Sequence, residues 1–492
     1  MDPAAERSVS PTDVLAELYP AQVIKPFSTA FTEAQNSYWN VLQRRKTPTC
    51  FFRPTDAQQV QTAIAQVARA RWPFAIKGGG HSSNSEGSSI ENGFVFDLVN
   101  LNHVEIAGDN QTVRVGPGVR WGPLFKTLEK KGVIAVGGRD FGVGVPGFTF
   151  GGGISYYSNQ YGWGIDNLVS VDIVLANGDL ITVDEKSHPD LNRALHGGGA
   201  HNFGIVTSLT LKLYPYKGMW GGVNVVVEEH FDKVFDAYDA YTRELVEDGK
   251  AHMIMDFFRK DGQILVAQFM GYPEPLENPP IFHGLRRIPN VTNTLRLADY
   301  SDLASEMAEA TDSTGKRNAY WTLAVEYDID LVRSIYELWA RTTEPHTNRA
   351  RFALDLNHIT PAMRNRAARQ GVPNVYGLEG PDWPLINILL TGVWDNEVDD
   401  EAVTAVLRDL GSAIEALAER RGKSLRFKYM NYANQEQDVI AGFGEKNAAF
   451  LKEIAGKYDP EGVFQELHVG AFKLGAGTPS MQPRQGGIPG RL

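Results

Sequence analysis

The sequence is poor in cysteine, in long apolar runs and in dense basic blocks. Cys50 is the single cysteine among 492 residues, which excludes an internal disulfide and a cysteine-based zinc or iron–sulfur site. No apolar stretch approaches the roughly 18 to 20 residues that span a bilayer, and the first residues show no apolar signal-peptide core. We therefore expect an intracellular protein with no membrane partner and no metal site.

Positively charged residues are fewer than negatively charged ones. The chain has 48 Lys and Arg residues against 59 Asp and Glu, a formal net charge of −11. Because binding nucleic-acid phosphates needs a basic face, we expect no nucleic-acid partner. The remaining composition, 42% hydrophobic and 22% charged, is typical of folded globular proteins. At about 150 residues per domain, the length predicts roughly two or three domains.

Short strands and amphipathic helices alternate in the first half of the chain. The apolar runs predict strands at residues 49–52, 74–77, 94–98, 112–115 and 205–213. Helical periodicity predicts helices over 56–71 and 121–131. Residues 171–183 predict a β-hairpin, because the central Asn177-Gly178 provides the positive φ angles of a type I′ turn.

The sequence pattern changes near residue 215, where longer strand–helix units begin. Residues 223–227 precede a helical pattern at 231–245, and residues 385–393 precede another at 397–419. These units predict a second α+β domain over about 218–420.

Glycine is abundant, with 49 residues, and much of it lies in three clusters at 78–81, 142–153 and 197–204. Glycine turns allow positive φ and bring backbone N–H groups close to an anionic ligand such as a pyrophosphate. A Walker A motif is excluded, because Gly153 and Ile154 occupy its Lys and Ser/Thr positions. A nicotinamide-binding Rossmann motif also fits poorly, since it needs only one such turn.

Five motifs resemble those of one flavoprotein family. KGGGH at 77–81 looks like the R/K-x-G-G-H turn of the vanillyl-alcohol-oxidase superfamily. VGVPGFTFGGG at 143–153 resembles the glycine loop of its berberine-bridge-enzyme-like branch. The segment at 188–215, YMNYA at 429–433 and KYDPEGVF at 457–464 resemble three further motifs of that branch, in the same order along the chain.

The resemblance implies an α+β fold in which both chain ends form a two-part PCMH-type FAD-binding domain. An α+β substrate domain with an antiparallel sheet is inserted between the two parts. The expected divisions are a lead-in at 1–46, the FAD-binding domain at 47–217 and 421–475, the substrate domain at 218–420 and a tail at 476–492.

The resemblance also implies FAD as the cofactor and indicates which residues hold it. Backbone N–H groups of the first turn and of the second glycine loop face the pyrophosphate, and the strand after the third cluster flanks the adenosine. The expected FAD-binding residues are Lys77, Gly78, Gly79, Gly80, His81, Ser82, Asp140, Val143, Gly144, Gly147, Gly151, Gly152, Gly153, Gly204, Ile205, Val206, Asn431 and Tyr432.

His81 matches the histidine that family members join to the flavin 8α-methyl group. Neutral imidazole is a nucleophile near neutral pH, which suits this bond. Many members form a second bond through a cysteine, whose position is Asp140 here, and Cys50 lies too early in the chain to replace it. We therefore expect a single covalent attachment through His81.

Hydride transfer to flavin N5 needs a base that takes a proton from the adjacent O–H or N–H. Tyr429 is the predicted base, because the matching tyrosine in several family members faces the flavin. Asp355 and His358 are predicted to bring polar groups into the pocket from the substrate domain. Val143 matches a position over flavin C4a where a small side chain leaves room for O2, which predicts an oxidase that produces hydrogen peroxide.

The predicted function is oxidation of a small, secondary-metabolite-like molecule, with O2 reoxidising the flavin and with ring closure as a possible outcome. One alternative is an oligosaccharide oxidase, which is disfavoured by the absent cysteine and by Ile154 at a position where many members have tyrosine. The other is a non-redox cyclase or binding protein that keeps FAD as a scaffold.

Overall fold

A small, mostly parallel sheet carries the first glycine turn. The computed structural model describes residues 10–378, 380 and 382–475, so the predicted tail lies outside the described residues. The strands are β1 Val23–Ile24, β2 Cys50–Phe52, β3 Phe74–Lys77, β4 Phe94–Asp97, β5 Val104–Ile106, β6 Thr112–Val115, β7 Val133–Ile134, β8 Leu168–Val174, β9 Leu180–Val183, β10 Ile205–Lys212, β11 Tyr214–Pro215, β12 Met219–Val227, β13 His252–Lys260, β14 Gln263–Tyr272, β15 Thr292–Asn293, β16 Arg296–Ala298, β17 Arg317–Glu326, β18 Arg351–Ile359, β19 Leu385–Trp394 and β20 Ser424–Leu425.

The helices connect these strands and cover the sheets. They are α1 Pro11–Leu18, α2 Thr29–Asn36, α3 Val41–Arg44, α4 Ala57–Ala70, α5 Trp121–Glu129, α6 Val145–Phe150, α7 Ser158–Tyr161, α8 Pro189–Gly198, α9 Phe231–Asp248, α10 His283–Arg286, α11 Tyr300–Ala310, α12 Ile329–Thr343, α13 Pro361–Gln370, α14 Asp400–Arg420, α15 Val439–Gly442 and α16 Glu445–Tyr458. Within the described ranges, none of them is both long and apolar enough to cross a membrane.

The first sheet has the order β1-β2-β4-β3, with β2, β4 and β3 parallel and β1 antiparallel at the edge. Its covering helix α4 begins where the Asp56 side chain accepts a hydrogen bond from the Gln59 N–H, and ends at Arg71 in the left-handed conformation. Helix α4 buries a stripe at helical spacing, including Val60 and Ile64. The predicted strands and helix of this region are confirmed.

The second sheet is antiparallel, in the order β5-β6-β10-β8-β9. Strands β8 and β9 form the predicted hairpin, and Gly178 takes a φ of 87° in its turn. The predicted turn type is wrong, because Asn177 does not have a positive φ. The Gly178 N–H donates to the Leu175 carbonyl at 3.0 Å, so Gly178 closes a turn over residues 175–178, and it alone needs the left-handed conformation that glycine favours.

The C-terminal segment returns to the first sheet. The Val469 N–H donates to the Phe74 carbonyl at 2.9 Å, and the rings of Phe464 and Phe74 meet edge to face at 6.0 Å. Both ends of the described chain therefore build one unit around β3. This arrangement confirms the predicted two-part α+β fold class.

Between these parts lies an antiparallel sheet in the order β15-β12-β14-β13-β18-β19-β17-β20, with β16 also paired to β12. Helices α9, α12 and α14 bury their apolar faces against one side of this sheet. Since side chains alternate along a strand, every second residue of β13, β14 and β18 is turned to the opposite side. That side faces the glycine turns of the first part of the chain and forms one wall of the candidate site.

Candidate active site

A cavity of about 1400 Å³ lies between the glycine turns and the uncovered face of the large sheet. It exceeds the roughly 300–1,000 Å³ that a drug-sized ligand occupies, so an extended cofactor and a substrate fit together. The predicted site residues that line it are Gly78, Gly79, Gly80, His81, Ser82, Asp140, Val143, Gly144, Gly147, Gly151, Gly204, Val206, Asp355, Tyr429, Asn431 and Tyr432.

His358 is a correction to the sequence prediction. It lies on the covered face of β18, where its Nε2 shares a hydrogen bond with Thr242 Oγ1 at 2.9 Å and its ring packs near Tyr238 and Tyr241. Its neighbour Asp355 lines the cavity instead. The residues are three positions apart, and the period of two places them on opposite faces of the strand.

Lys77 also differs from the prediction. Its buried ammonium group donates to Ser37 Oγ at 2.6 Å and lies 3.4 Å from Asp97 Oδ2, over the ring of Tyr38. Because β3 alternates its side chains, Lys77 is turned into the protein interior while the chain after it lines the cavity. Lys77 therefore anchors the end of β3 and does not contact the cofactor space.

Three further predicted residues are packed behind the cavity surface. Ile205 is fully buried in the core between α4 and the second sheet. Gly152 and Gly153 both have positive φ, 115° and 87°. The N–H of Gly153 donates to the Tyr429 hydroxyl oxygen at 3.0 Å, so this N–H group is already paired within the protein.

The first glycine turn is shaped for close approach of an anion. Gly80 has a φ of 66°, in the left-handed region where a Cβ is disfavoured. A Cβ at Gly79 would stand 2.5 Å from the Cα of Gly144, so the two glycine loops touch through their backbones. Within the described chain, the N–H groups of Gly79, Gly80, His81 and Ser82 donate to no other protein group. Such unused consecutive N–H groups fit a pyrophosphate.

His81 stands between an aromatic ring and a carboxylate. The ring of Trp39 stacks on it at 4.7 Å and 10°, and its Nε2 lies 3.9 Å from Asp140 Oδ1. Burial lowers the pKa of His81 and Arg120 lowers it further, although Asp140 opposes both. The imidazole is therefore neutral and nucleophilic near neutral pH.

Arg139 connects the two walls of the cavity. Its Nη1 donates to Asn357 Oδ1 on β18 and its Nη2 donates to the Tyr432 hydroxyl oxygen, both at 2.7 Å. Because that oxygen accepts from Arg139, the Tyr432 O–H remains available to donate. The Arg139 guanidinium thus links Tyr432 to Asn357 on strand β18 and places a positive charge between them.

Asp355 and Asp256 form a carboxylate pair on the large sheet. They lie directly opposite each other in the antiparallel register of β13 and β18, and both line the cavity. Burial raises the pKa of Asp355 to about 7, although Arg139 opposes the shift. Burial, together with the charge of Asp355, raises the pKa of Asp256 well above its usual range. Both shifts favour the protonated forms of the pair more than in free carboxylic acids.

Tyr429 has a different environment from the one predicted. Its hydroxyl oxygen lies 3.0 Å from the Gly153 N, 3.1 Å from the Ile154 N and 3.1 Å from the Asn431 Nδ2. Burial raises its pKa above the usual value, and Tyr432 adds to the shift. Tyr429 therefore holds the glycine loop in place, and its hydroxyl faces backbone donors.

Three residues that line the cavity were not predicted from the sequence: Trp39, Arg139 and Asp256. Asp256 interrupts an otherwise apolar strand, Met253-Ile254-Met255-Asp256-Phe257-Phe258, and a carboxylate in such a strand is a signal of function. Arg139 follows a glycine pair and precedes Asp140. Trp39 gave no usable signal, because its contact with His81 depends on the folded lead-in.

The rest of the sheet wall is mainly apolar. The apolar residues that line the cavity from β12, β13 and β14 are Val223, Val225, Ile254, Phe258, Leu265, Ala267 and Phe269. No group of three or more His, Cys, Asp or Glu side chains that could bind a metal ion is present in the described ranges. The polar groups of this wall include the carboxylate pair, Arg351 and Thr391.

Comparisons with known proteins agree with this geometry. Residues 48–184 match the FAD binding domain family. The chain is 33% identical over 467 residues to the FAD-dependent monooxygenase FUP4 of Fusarium proliferatum, covering 92% of this chain and 89% of that protein.

Solved structures share the fold. 6-Hydroxy-D-nicotine oxidase from Arthrobacter nicotinovorans superposes with a TM-score of 0.77 at 21% identity, over 90% of this chain and 96% of the other. Berberine bridge enzyme from Eschscholzia californica gives 0.75 at 17% identity, over 94% and 99%. The predictions of the family, of the fold and of FAD binding are confirmed.

Proposed function

The chain belongs to the berberine-bridge-enzyme-like FAD-linked oxidoreductases, and on that premise we propose that it oxidises a small molecule with a flavin attached through His81. The observation that carries the proposal is that one cavity contains the unused N–H groups of the glycine turn, His81 and, on the facing wall, Asp355 with Arg139. Bound FAD supplies the hydride acceptor. The protein binds and orients the cofactor and the substrate, and its side chains move the protons.

The cofactor is proposed to lie along the glycine loops. The N–H groups of residues 79–82 hold the pyrophosphate, since they line the cavity and donate to no described protein group. Gly204 and Val206 flank the adenosine, and Asn431 supports the flavin by tying Tyr429 to the Phe148 carbonyl.

His81 is proposed to form the single covalent bond to the flavin. The lowered pKa keeps its imidazole neutral, and the stacked Trp39 ring holds it in one orientation. Asp140, at the position of the second attachment in other members, is a carboxylate and forms no thioether. Cys50 is buried in β2, in the core beneath α4.

Asp355 is proposed as the base that takes the substrate proton. A general base is most effective with a pKa near the working pH, and the pKa of Asp355 is raised to about 7. Tyr429, the base predicted from the sequence, is less suitable because burial raises its pKa above the usual value, despite the backbone N–H groups that donate to its oxygen. The O–H of Tyr432 is free to donate to the substrate, since Arg139 holds its oxygen.

The proposed reaction is tested by anaerobic mixing of the flavoprotein with apolar alcohols, phenols and amines. Loss of the flavin absorbance on mixing supports redox turnover, and a flavin that stays oxidised with every compound while a product forms favours the non-redox cyclase. A panel of oligosaccharides provides the comparison. The apolar wall offers few partners for sugar hydroxyls, so we expect no reduction by sugars.

A second candidate is a monooxygenase, because the relative FUP4 carries that name. The two reactions differ in the fate of O2: an oxidase releases both oxygen atoms as hydrogen peroxide, and a monooxygenase inserts one into the product. Turnover under ¹⁸O2 with mass analysis of the product separates them. We expect an unlabelled product and one hydrogen peroxide per substrate.

Val143→Leu should slow the reaction of the reduced enzyme with O2 while leaving anaerobic reduction by substrate nearly unchanged. Val143 lines the cavity in the glycine loop, and an added methylene is not absorbed freely in a packed site. Stopped-flow measurement of each half-reaction checks this, with Val143→Ala as the smaller control. Equal reoxidation rates in all three proteins would show that Val143 does not control oxygen access.

A further inference from the structure

The sheet wall of the cavity carries two carboxylates, Asp256 and Asp355, that form no ion pair within the described residues. We propose that Asp256 and Asp355 together bind the protonated nitrogen of an otherwise apolar amine substrate. The inference rests on the proposed oxidation of a small molecule in this cavity, and it narrows the substrate class.

The two carboxylates are placed together by the sheet register. Asp256 on β13 is paired with Asp355 on β18, and directly opposite residues of an antiparallel pair have Cβ atoms about 4.5–5.5 Å apart on the same face. Asp256 is only 9% exposed, and its Oδ1 has no hydrogen-bond donor in the described part of the chain. Two ionised carboxylates in this position would repel each other, and a cationic ligand bound between them would offset that repulsion.

Two arginines near the pair, Arg139 and Arg259, make their contacts with other groups. Arg139 donates to Asn357 and Tyr432. Arg259, on the same strand as Asp256, donates to the Ala340 carbonyl and pairs with Glu344 at 3.0 Å. Among the described residues, no Lys, Arg or His forms an ion pair with either carboxylate, although the charge of Arg139 lowers the pKa of Asp355. A buried charge is normally paired, and an ammonium group on the ligand would supply the missing cation.

The chemistry of the wall distinguishes an amine from other ligands. An ammonium group brings two or three N–H donors and a positive charge to two acceptors, whereas an alcohol brings one donor and no charge. The surrounding side chains, including Val225, Phe258 and Phe269, are apolar. They suit a hydrocarbon body with one basic nitrogen and leave the hydroxyls of a sugar without partners.

The test uses 1-adamantylamine and 1-adamantanol as probes of matched shape. Neither has a hydrogen on the carbon that bears the polar group, so neither can be oxidised there, and calorimetry on the flavin-loaded enzyme reports binding alone. We expect the amine to bind about tenfold or more tightly than the alcohol, the usual scale for a charged hydrogen bond. Asp256→Asn should remove most of this preference, and Asp172→Asn, outside the cavity on β8, should keep it.

Three results would overturn the inference: no measurable amine binding, an alcohol that binds as tightly as the amine, or an unchanged preference in Asp256→Asn. Asparagine has nearly the same shape and removes a like-charge contact, so we expect that variant to fold; thermal unfolding and flavin content check this. If Asp256→Asn does not fold, the comparison of amine and alcohol binding by the unaltered enzyme still tests the inference. Reduction of the flavin by neutral alcohols without an amine preference would refute this inference alone, whereas an amine preference without reduction by any compound would refute the proposed oxidation alone.

Discussion

Replacing His81 by alanine should convert a covalent flavoprotein into one that loses its FAD when it is denatured. In the unaltered protein, acid precipitation should leave about one flavin per chain on the polypeptide, because we propose the neutral imidazole of His81 as the nucleophile that bonds to the flavin. His81→Ala lacks the nucleophile at the first glycine turn, Asp140 forms no stable bond of this kind, and Cys50 is buried in the core. The other imidazoles that line the cavity belong to the third glycine cluster, His201, and to the C-terminal segment, His468. Flavin fluorescence of the denatured band on a gel measures the attachment.

An exposed histidine provides the control. His283→Ala, on α10, should keep the covalent flavin, and the yellow colour of native His81→Ala should show that FAD still binds. Covalent flavin that survives in His81→Ala would disprove the assignment. A peptide digest of the unaltered protein with flavin on Asp140 or Cys50 would disprove the single attachment.

Asp355→Asn should slow reduction of the flavin by substrate about 100-fold or more, the typical scale for removal of a general base. In the unaltered enzyme this rate should rise with pH through about 7, because only the ionised carboxylate accepts a proton and burial raises the pKa of Asp355 to about 7. In the variant the rate should lose this rise. Anaerobic stopped-flow over a pH series measures both effects.

Tyr429→Phe is the matched comparison, since Tyr429 was the base predicted from the sequence. Its hydroxyl oxygen accepts from the Gly153 and Ile154 N–H groups, and leaving buried donors without an acceptor costs roughly 1–3 kcal/mol each. We therefore expect a lower melting temperature with a nearly unchanged pH profile of reduction. A large loss of the reduction rate in Tyr429→Phe together with a normal rate in Asp355→Asn would reinstate Tyr429 as the base.

The sequence by itself determined the local elements of this protein. The Asn177-Gly178 hairpin, the helix that begins after Asp56 and the glycine turn after β3 all follow from backbone preferences within a few residues. The resemblance added the family, FAD and the two-part domain. The resemblance also pointed to His81, because the motif that contains it, residues 77–81, is continuous in the sequence.

Only the tertiary structure decided which polar groups meet on the sheet wall. Asp256 and Asp355 are paired by the register of two distant strands, and Arg139 reaches Asn357 and Tyr432 from a third part of the chain. The sequence also did not show which residues of β18 face the cavity and which face the helices. The alternation of a strand fixes which residues share a face, but the helices packed against the sheet decide which face is buried, and this separates His358 from Asp355. Such contacts depend on packing between segments far apart in sequence, which no local pattern records.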